Sequence, residues 1–375
     1  MSLPEPDPRV ATDRPVSTLE LFFDLVFVFA ITQLTAVLAD DPTPLGAFQV
    51  LLIFGVLWWM FGGYVWLTNA VAPDQAIRKL LLLAAMAGFL IIALAIPTAF
   101  EDGGLVFGLG YLLVILIHSG LFMSGLKRTG LRGIFRVAPL NIAAALALVV
   151  AGLVDGPIVY AVWLLAFGLE VLTSLIADPR GFRIAPRHFV ERHGLLLIIV
   201  LGESIVAISV GAADLPLDAS LLVAATLALA AVSCLWWLYF NEDDSRAEEA
   251  LVAAPVEGRM RIVLGAFFYA QIPMLLGIIA FAAGVKSAIG HAFEPLATSA
   301  AIFLAAGVAL YLVGDALFRI GIGFRHATAR MVAAAAALAT FPIGVVTTAT
   351  LQLVALLVVL LVVIVARPRR AIVPA

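Results

Sequence analysis

The run ATLQLVALLVVLLVVIVA, residues 349–366, decides the fold: it holds no charged side chain, and Thr350 and Gln352 are its only polar ones. Coiled as an α-helix at 1.5 Å per residue, such a run is about 27 Å long, close to the ~30 Å of hydrocarbon in a bilayer. Hydrocarbon offers backbone amides no hydrogen-bond partner, so a spanning segment must be a helix or part of a closed barrel. Barrel strands alternate apolar and polar residues, and this run does not. Helix is therefore the expectation.

Working outward from that run, comparable stretches fall near 18–38, 46–67, 77–99, 104–126, 135–154, 157–177, 190–212, 219–240, 262–284, 295–319 and 328–347. Helix-stopping residues separate several of them: Asp40-Asp41-Pro42, Ala72-Pro73-Asp74, Glu101-Asp102-Gly103-Gly104, Asp155-Gly156-Pro157 and Asp214-Leu215-Pro216. The pattern predicts an all-α integral membrane protein with about twelve transmembrane helices and no connector large enough for a domain. Composition agrees. Hydrophobic residues make up 63% of the chain, charged ones 13%, and the mean hydropathy is +1.13; soluble domains average about 45–50% apolar and about 25% charged.

A net charge of -3 and a pI near 6.0 speak against a nucleic-acid binder. The single cysteine, Cys234, lies inside an apolar run, as a small core residue does. Pro4, Pro6, Pro8 and Pro15 precede the first apolar run and Glu20 and Asp24 interrupt it, so residues 19–39 read as a retained helix rather than a cleaved signal.

Orientation follows from where lysine and arginine sit, because basic residues are retained in short cytoplasmic loops. With both termini in the cytoplasm, every basic residue except Lys286 falls on the inside, while Asp40, Asp41, Glu101, Asp102, Asp155, Asp214 and Asp218 fall outside. The expected location is thus the cytoplasmic (inner) membrane, crossed many times.

The two halves echo one another. Leu57-Trp58-Trp59-Met60-Phe61 reappears as Leu235-Trp236-Trp237-Leu238-Tyr239, Leu121-Phe122 with Gly125 as Leu317-Phe318 with Gly321, and Phe135-Arg136 as Phe324-Arg325. Glu20 and Glu191 open corresponding helices. These matches predict a six-plus-six parallel repeat, with a cytoplasmic tail at 1–17, a first repeat at 18–177, a linker at 178–189, a second repeat at 190–366 and a tail at 367–375.

Three segments carry a resemblance: Ser17-Thr18-Leu19-Glu20-Leu21-Phe22-Phe23-Asp24 continuing to Ala30, Glu191-Arg192-His193-Gly194 leading to Leu201-Gly202-Glu203-Ser204, and Trp236-Trp237-Leu238-Tyr239. Together they resemble the bacterial low temperature requirement A family of membrane proteins. The resemblance extends over most of the chain and implies a polytopic membrane fold; it implies no molecular activity.

Charged groups inside a span cost about 2.5–3.5 kcal/mol on insertion scales, so they face the bundle or water and mark candidate sites. Those groups are Glu20 and Asp24 in the first helix, His118 in the fourth, Glu170 in the sixth, Glu203 in the seventh and Asp315 in the tenth, with His193 at a cytoplasmic boundary. Glu20 and Asp24, four residues apart, share a helical face. Glu20 is expected in the headgroup zone; Asp24, one turn deeper, needs either an ion or an arginine from another helix. Arg192 and Glu203 point the same way but lie about 16 Å apart along their helix, too far to pair. Pro139, Pro273 and Pro342 are candidate kinks, and Gly104-x-x-x-Gly108 a packing face.

No His-Glu-x-x-His, Gly-x-Ser-x-Gly, phosphate loop or cysteine cluster is present. The chain reads as no enzyme, with no cofactor and no metal. Its expected partners are the lipid bilayer and an unidentified small solute or ion. Transport or conduction coupled to buried carboxylates is the leading expectation, and a structural or partner-binding membrane protein of the envelope the alternative.

Overall fold

The computed structural model describes residues 15–71, 74–125, 128–176, 184–213, 215–241, 243–324 and 327–366, and among them every regular element is helical. Residues 1–14 and 367–375 of the expected tails, the linker up to residue 183, Asp214 and Arg325 lie outside the described residues. In chain order the helices are α1 (Thr18–Asp40), α2 (Pro44–Ala70), α3 (Ala76–Ala95), α4 (Gly104–Gly125), α5 (Arg128–Ala151), α6 (Ile158–Ile176), α7 (Pro186–Ala212) and α8 (Ala219–Phe240). They continue with α9 (Asp243–Ala253), α10 (Val256–Ile262), α11 (Gln271–Ala288), α12 (Thr298–Gly321), α13 (Thr328–Leu338), α14 (Phe341–Val346) and α15 (Ala349–Val365). Nine helical segments are long and apolar enough to cross a membrane, and three shorter apolar stretches, Val137–Ala151, Ile158–Thr173 and Ala349–Val365, accompany them among the described residues. Large apolar side chains such as Leu94, Leu217, Val358 and Val362 stay exposed, as lipid-facing residues do. This is an all-α, multi-pass membrane fold.

Local sequence sets the helix starts. Ser17 caps α1: its hydroxyl accepts from the Glu20 amide at 3.3 Å, and the Glu20 carboxylate accepts from the Ser17 amide at 2.9 Å. That reciprocal pair is a capping box. Thr43 with Pro44 opens α2, Asp218 opens α8 and Thr348 opens α15.

The helices form two compact units: residues up to Ile199 with Leu251–Arg261, and Val200–Ala250 with Ile262 onward. In the first, α4 packs between α3 and α5, α5 on α6, and α1 on α2 and α3. Gly104 and Gly108 do serve packing: a β-carbon at Gly108 would fall 2.6 Å from the Val149 amide nitrogen, so α4 and α5 touch backbone to backbone. In the second unit α11 and α12 are the closest pair, with a β-carbon at Gly277 falling 2.6 Å from the Gly307 carbonyl oxygen.

The three prolines behave differently. Helix α5 runs through Pro139 without a break. Ahead of Pro273, residues Val263–Tyr269 form a π-helical turn, closed by the Ala270 amide bonding the Gly265 carbonyl at 3.1 Å. Proline has no N–H for the carbonyl four residues back and collides with it, and a wider turn moves that carbonyl aside. Pro342 breaks the expected single span at 328–347 into α13 and α14, joined through Ala339 and Thr340. Beyond the break, Gly344 gives its carbonyl to the Leu296 amide at 2.8 Å, and the Gln352 side chain donates to the Ala301 carbonyl at 2.7 Å. Residues 241–261, expected as a plain connector, hold α9 and α10.

Candidate functional site

In the first unit, α1 and α7 hold a buried ionic chain. His188 and Arg192, one turn apart on α7, meet Glu20 and Asp24, one turn apart on α1. His188 Nε2 lies 3.1 Å from Glu20 Oε1; Arg192 Nη1 lies 3.5 Å from the same oxygen, and Arg192 Nη2 donates to Asp24 Oδ1 at 3.1 Å. The Thr68 hydroxyl of α2 accepts from Arg192. The Phe23 and Phe61 rings flank the guanidinium, with centroids 5.8 and 5.9 Å from its central carbon. Glu20 and Asp24 are completely buried and Arg192 nearly so. Asp24 Oδ2, His188 Nδ1 and Arg192 Nε find no hydrogen-bond partner among the described residues.

Three residues meet a buried setting here. Glu20, expected in the headgroup zone, is enclosed by protein and faces His188 and Arg192 of α7. Arg192, assigned above to a cytoplasmic segment, is buried as the partner Asp24 required. His193, expected as an interfacial histidine, is buried too, with Nδ1 2.8 Å from the Phe189 carbonyl oxygen and its ring on Phe189.

The second unit holds a chain that sequence reasoning did not assemble. Arg319 Nη1 donates to Asp243 Oδ1 and Oδ2 at 2.7 and 2.8 Å; Arg330 Nη2 lies 4.0 Å from Asp243 Oδ2, and Arg330 Nε donates to Asp315. Asp243 and Asp315 are fully buried. Asp315 Oδ1 has no partner among the described residues. Arg319 also stacks on Phe324, 3.8 Å from the ring centroid. From sequence, Arg319 and Arg330 fall on the cytoplasmic side, and Asp243 is not singled out. One signal was available: Asp315 and Arg319 are four apart on one helix, as are His188 and Arg192.

Other candidates have described contacts of their own. Glu170 of α6 accepts from the Tyr111 hydroxyl of α4 at 2.9 Å, and the same hydroxyl lies 3.0 Å from the Val56 carbonyl oxygen of α2. His118 packs between Tyr64 and Phe122, at centroid distances of 5.1 and 4.9 Å. Glu203 is buried midway along α7, next to the buried Ser204. Of the sequence-predicted residues, then, only Glu20 and Asp24 share one cluster by described contacts. Among the described residues no group of three or more histidine, cysteine and acidic side chains could hold a metal.

Comparison with known proteins extends the resemblance. The chain is 28% identical over 309 residues to the uncharacterized protein RA0937 of Rhizobium meliloti (strain 1021), covering 79% of this chain and 75% of that one. A family model described as "Bacterial low temperature requirement A protein (LtrA)" matches residues 15–365. That match takes in both ionic chains, α1 with its acid pair and α7 with the base pair that receives it, and the protein belongs to the bacterial low temperature requirement A family.

Proposed function

We propose that the protein is a transporter or channel for a small solute or ion in the cytoplasmic membrane, responsive to protons or cations through its buried carboxylates. One observation carries this reading: Asp24 and Asp315, one in each compact unit, are fully buried, give one oxygen to an arginine and leave the other without a partner among the described residues. A purely structural ion pair is favourable only when its remaining lone pairs are also satisfied. An open carboxylate oxygen inside an apolar bundle is instead an acceptor for something that comes and goes. Glu203, His118 and Glu170 are further buried polar groups along the helices. The reading includes both termini in the cytoplasm, a parallel pair of six-helix repeats, and no catalytic step.

A second reading has its own support. Glu20, Asp24, Glu170 and Asp315 each have a local partner, as in a bundle whose polar groups serve only to register helices. In that case the protein is a structural or partner-binding component of the envelope. Reconstituted liposomes with an internal pH dye separate the two. Flux under an imposed proton or cation gradient, reduced in Asp24→Asn and Glu203→Gln, supports transport; no flux under any gradient, with both variants indistinguishable from the wild type, removes it in favour of the structural role.

A further inference from the structure

The two ionic chains have the same order of bases and acids and differ in kind at two positions, of which only the leading base changes the possible charge. Each runs base, acid, arginine, aspartate: His188, Glu20, Arg192, Asp24 in the first unit, and Arg319, Asp243, Arg330, Asp315 in the second. Each ends on an aspartate with an unpaired outer oxygen. The leading base is arginine in one and histidine in the other.

That difference decides the charge balance. Arg319 and Arg330 are cationic at any accessible pH, so with Asp243 and Asp315 the second chain is neutral. Histidine is cationic only when protonated. With His188 neutral, Glu20 and Asp24 face Arg192 alone, and the first chain carries one excess negative charge at a site with almost no solvent exposure. An uncompensated buried charge is strongly unfavourable, and one added proton removes it. The proton has two places to go, Asp24 Oδ2 or the imidazole of His188, whose Nδ1 is also unpaired.

Among the described residues, the other charged and titratable groups nearby do not offer that compensation. His193 of α7 is engaged by the Phe189 carbonyl. Glu191 accepts from the Val16 amide at 3.4 Å and would add negative charge. Helix α2 contributes the Thr68 hydroxyl, and at the start of α3 Arg78 is taken by Asp74 at 3.0 Å, next to the exposed Lys79.

We infer that the His188–Glu20–Arg192–Asp24 chain binds one exchangeable proton, shared between His188 and Asp24, which the Arg319–Asp243–Arg330–Asp315 chain, with two arginines facing two acids, does not need for its charge balance. What the cell gains from the proton rests on the transport reading; the binding itself does not.

The test uses the full chain in detergent, with its five histidines 15N-labelled and His188 assigned through His188→Gln. The wild type is expected to take up one proton as the pH is lowered, read at His188 by 15N NMR and at Asp24 by its carboxylic acid band. Asp24→Asn removes the excess charge and weakens the hold on that proton about tenfold. His188→Arg gives the first chain the charge balance of the second and flattens the pH dependence of thermal unfolding, whereas His291→Gln, at an exposed site, leaves it as it was. Should an arginine not fit there, the NMR midpoint in Asp24→Asn still decides. A His188 signal frozen in one state across the range, with no Asp24-dependent carboxylic acid band in the infrared, overturns the inference; so does a response that follows sodium or potassium rather than pH in choline buffers. Titration without liposome flux leaves the proton site standing and transport refuted, and flux with an unresponsive His188 does the reverse.

Discussion

Asp24 gives the Arg192 guanidinium one carboxylate oxygen, at 3.1 Å across the α1–α7 contact, and keeps the other unpaired in the protein interior. Arg192 is thus the group that makes an acid in the second turn of a membrane helix tolerable, and it holds Glu20 at 3.5 Å as well. Removing one member of a buried pair leaves the other charge unreceived, at a cost of about 3–5 kcal/mol. Arg192→Met is expected to lower the detergent-solubilised melting temperature sharply, and combining it with Asp24→Asn to restore part of the loss. A double-mutant cycle on thermal unfolding measures the coupling; additive effects would show that the contact carries no energy.

Asp243 is the acid between two arginines in the second unit, and its neighbours along α9 are more exposed. Asp243→Ala leaves Arg319 and Arg330 to share Asp315 and is expected to destabilise by about 3 kcal/mol or more. Glu249→Ala, at an exposed position of the same helix, is expected to stay within about 0.5 kcal/mol of the wild type. Melting curves of the two variants side by side check the contrast.

Two glycine-to-alanine changes are expected to act in opposite directions. At Gly277 the new methyl would meet the Gly307 carbonyl and the Tyr311 amide, both at 2.6 Å, and backbone atoms cannot swing away. Overpacking of that kind costs about 1–3 kcal/mol as α11 and α12 are forced apart. At Gly168 nothing lies within 4 Å, and alanine there is expected to add a few tenths to about 1 kcal/mol through helix propensity. Unfolding of both variants in the same detergent decides it.

Glu170 lies beside one phenol whose hydroxyl faces two acceptors, at 2.9 and 3.0 Å. A single hydroxyl proton serves both poorly. An amide at position 170 can donate to the phenol while the phenol donates to the Val56 carbonyl, so Glu170→Gln is expected to change stability by less than about 1 kcal/mol, and Glu170→Lys to prevent folding. Expression and melting of both variants test whether this acid is held without a counter-charge.

The architecture was legible because it rests on one-dimensional chemistry. Eighteen-residue apolar runs such as 349–366 must be helical in hydrocarbon wherever they occur, and caps such as Ser17 and Thr43 act on amides two or three residues away. The break at Pro342 was only partly legible: a proline marks where a helix can yield, but whether it bends, widens or parts depends on what the neighbouring helices offer the freed carbonyls. Hence Pro139 passes unbroken, Pro273 follows a π-turn and Pro342 separates two helices.

The sequence alone determined that this protein is a helical membrane protein and that acids such as Asp24 and Asp315 need partners inside it, because desolvation is a property of each residue and its surroundings in a span. Only the tertiary structure decided the partners. His188 and Glu20 are 168 positions apart, as are Arg192 and Asp24, and Arg319 and Asp243 are separated by 76. Such pairs form when helices dock with particular faces together, and that choice is made by packing, such as the glycine contacts of α11 with α12.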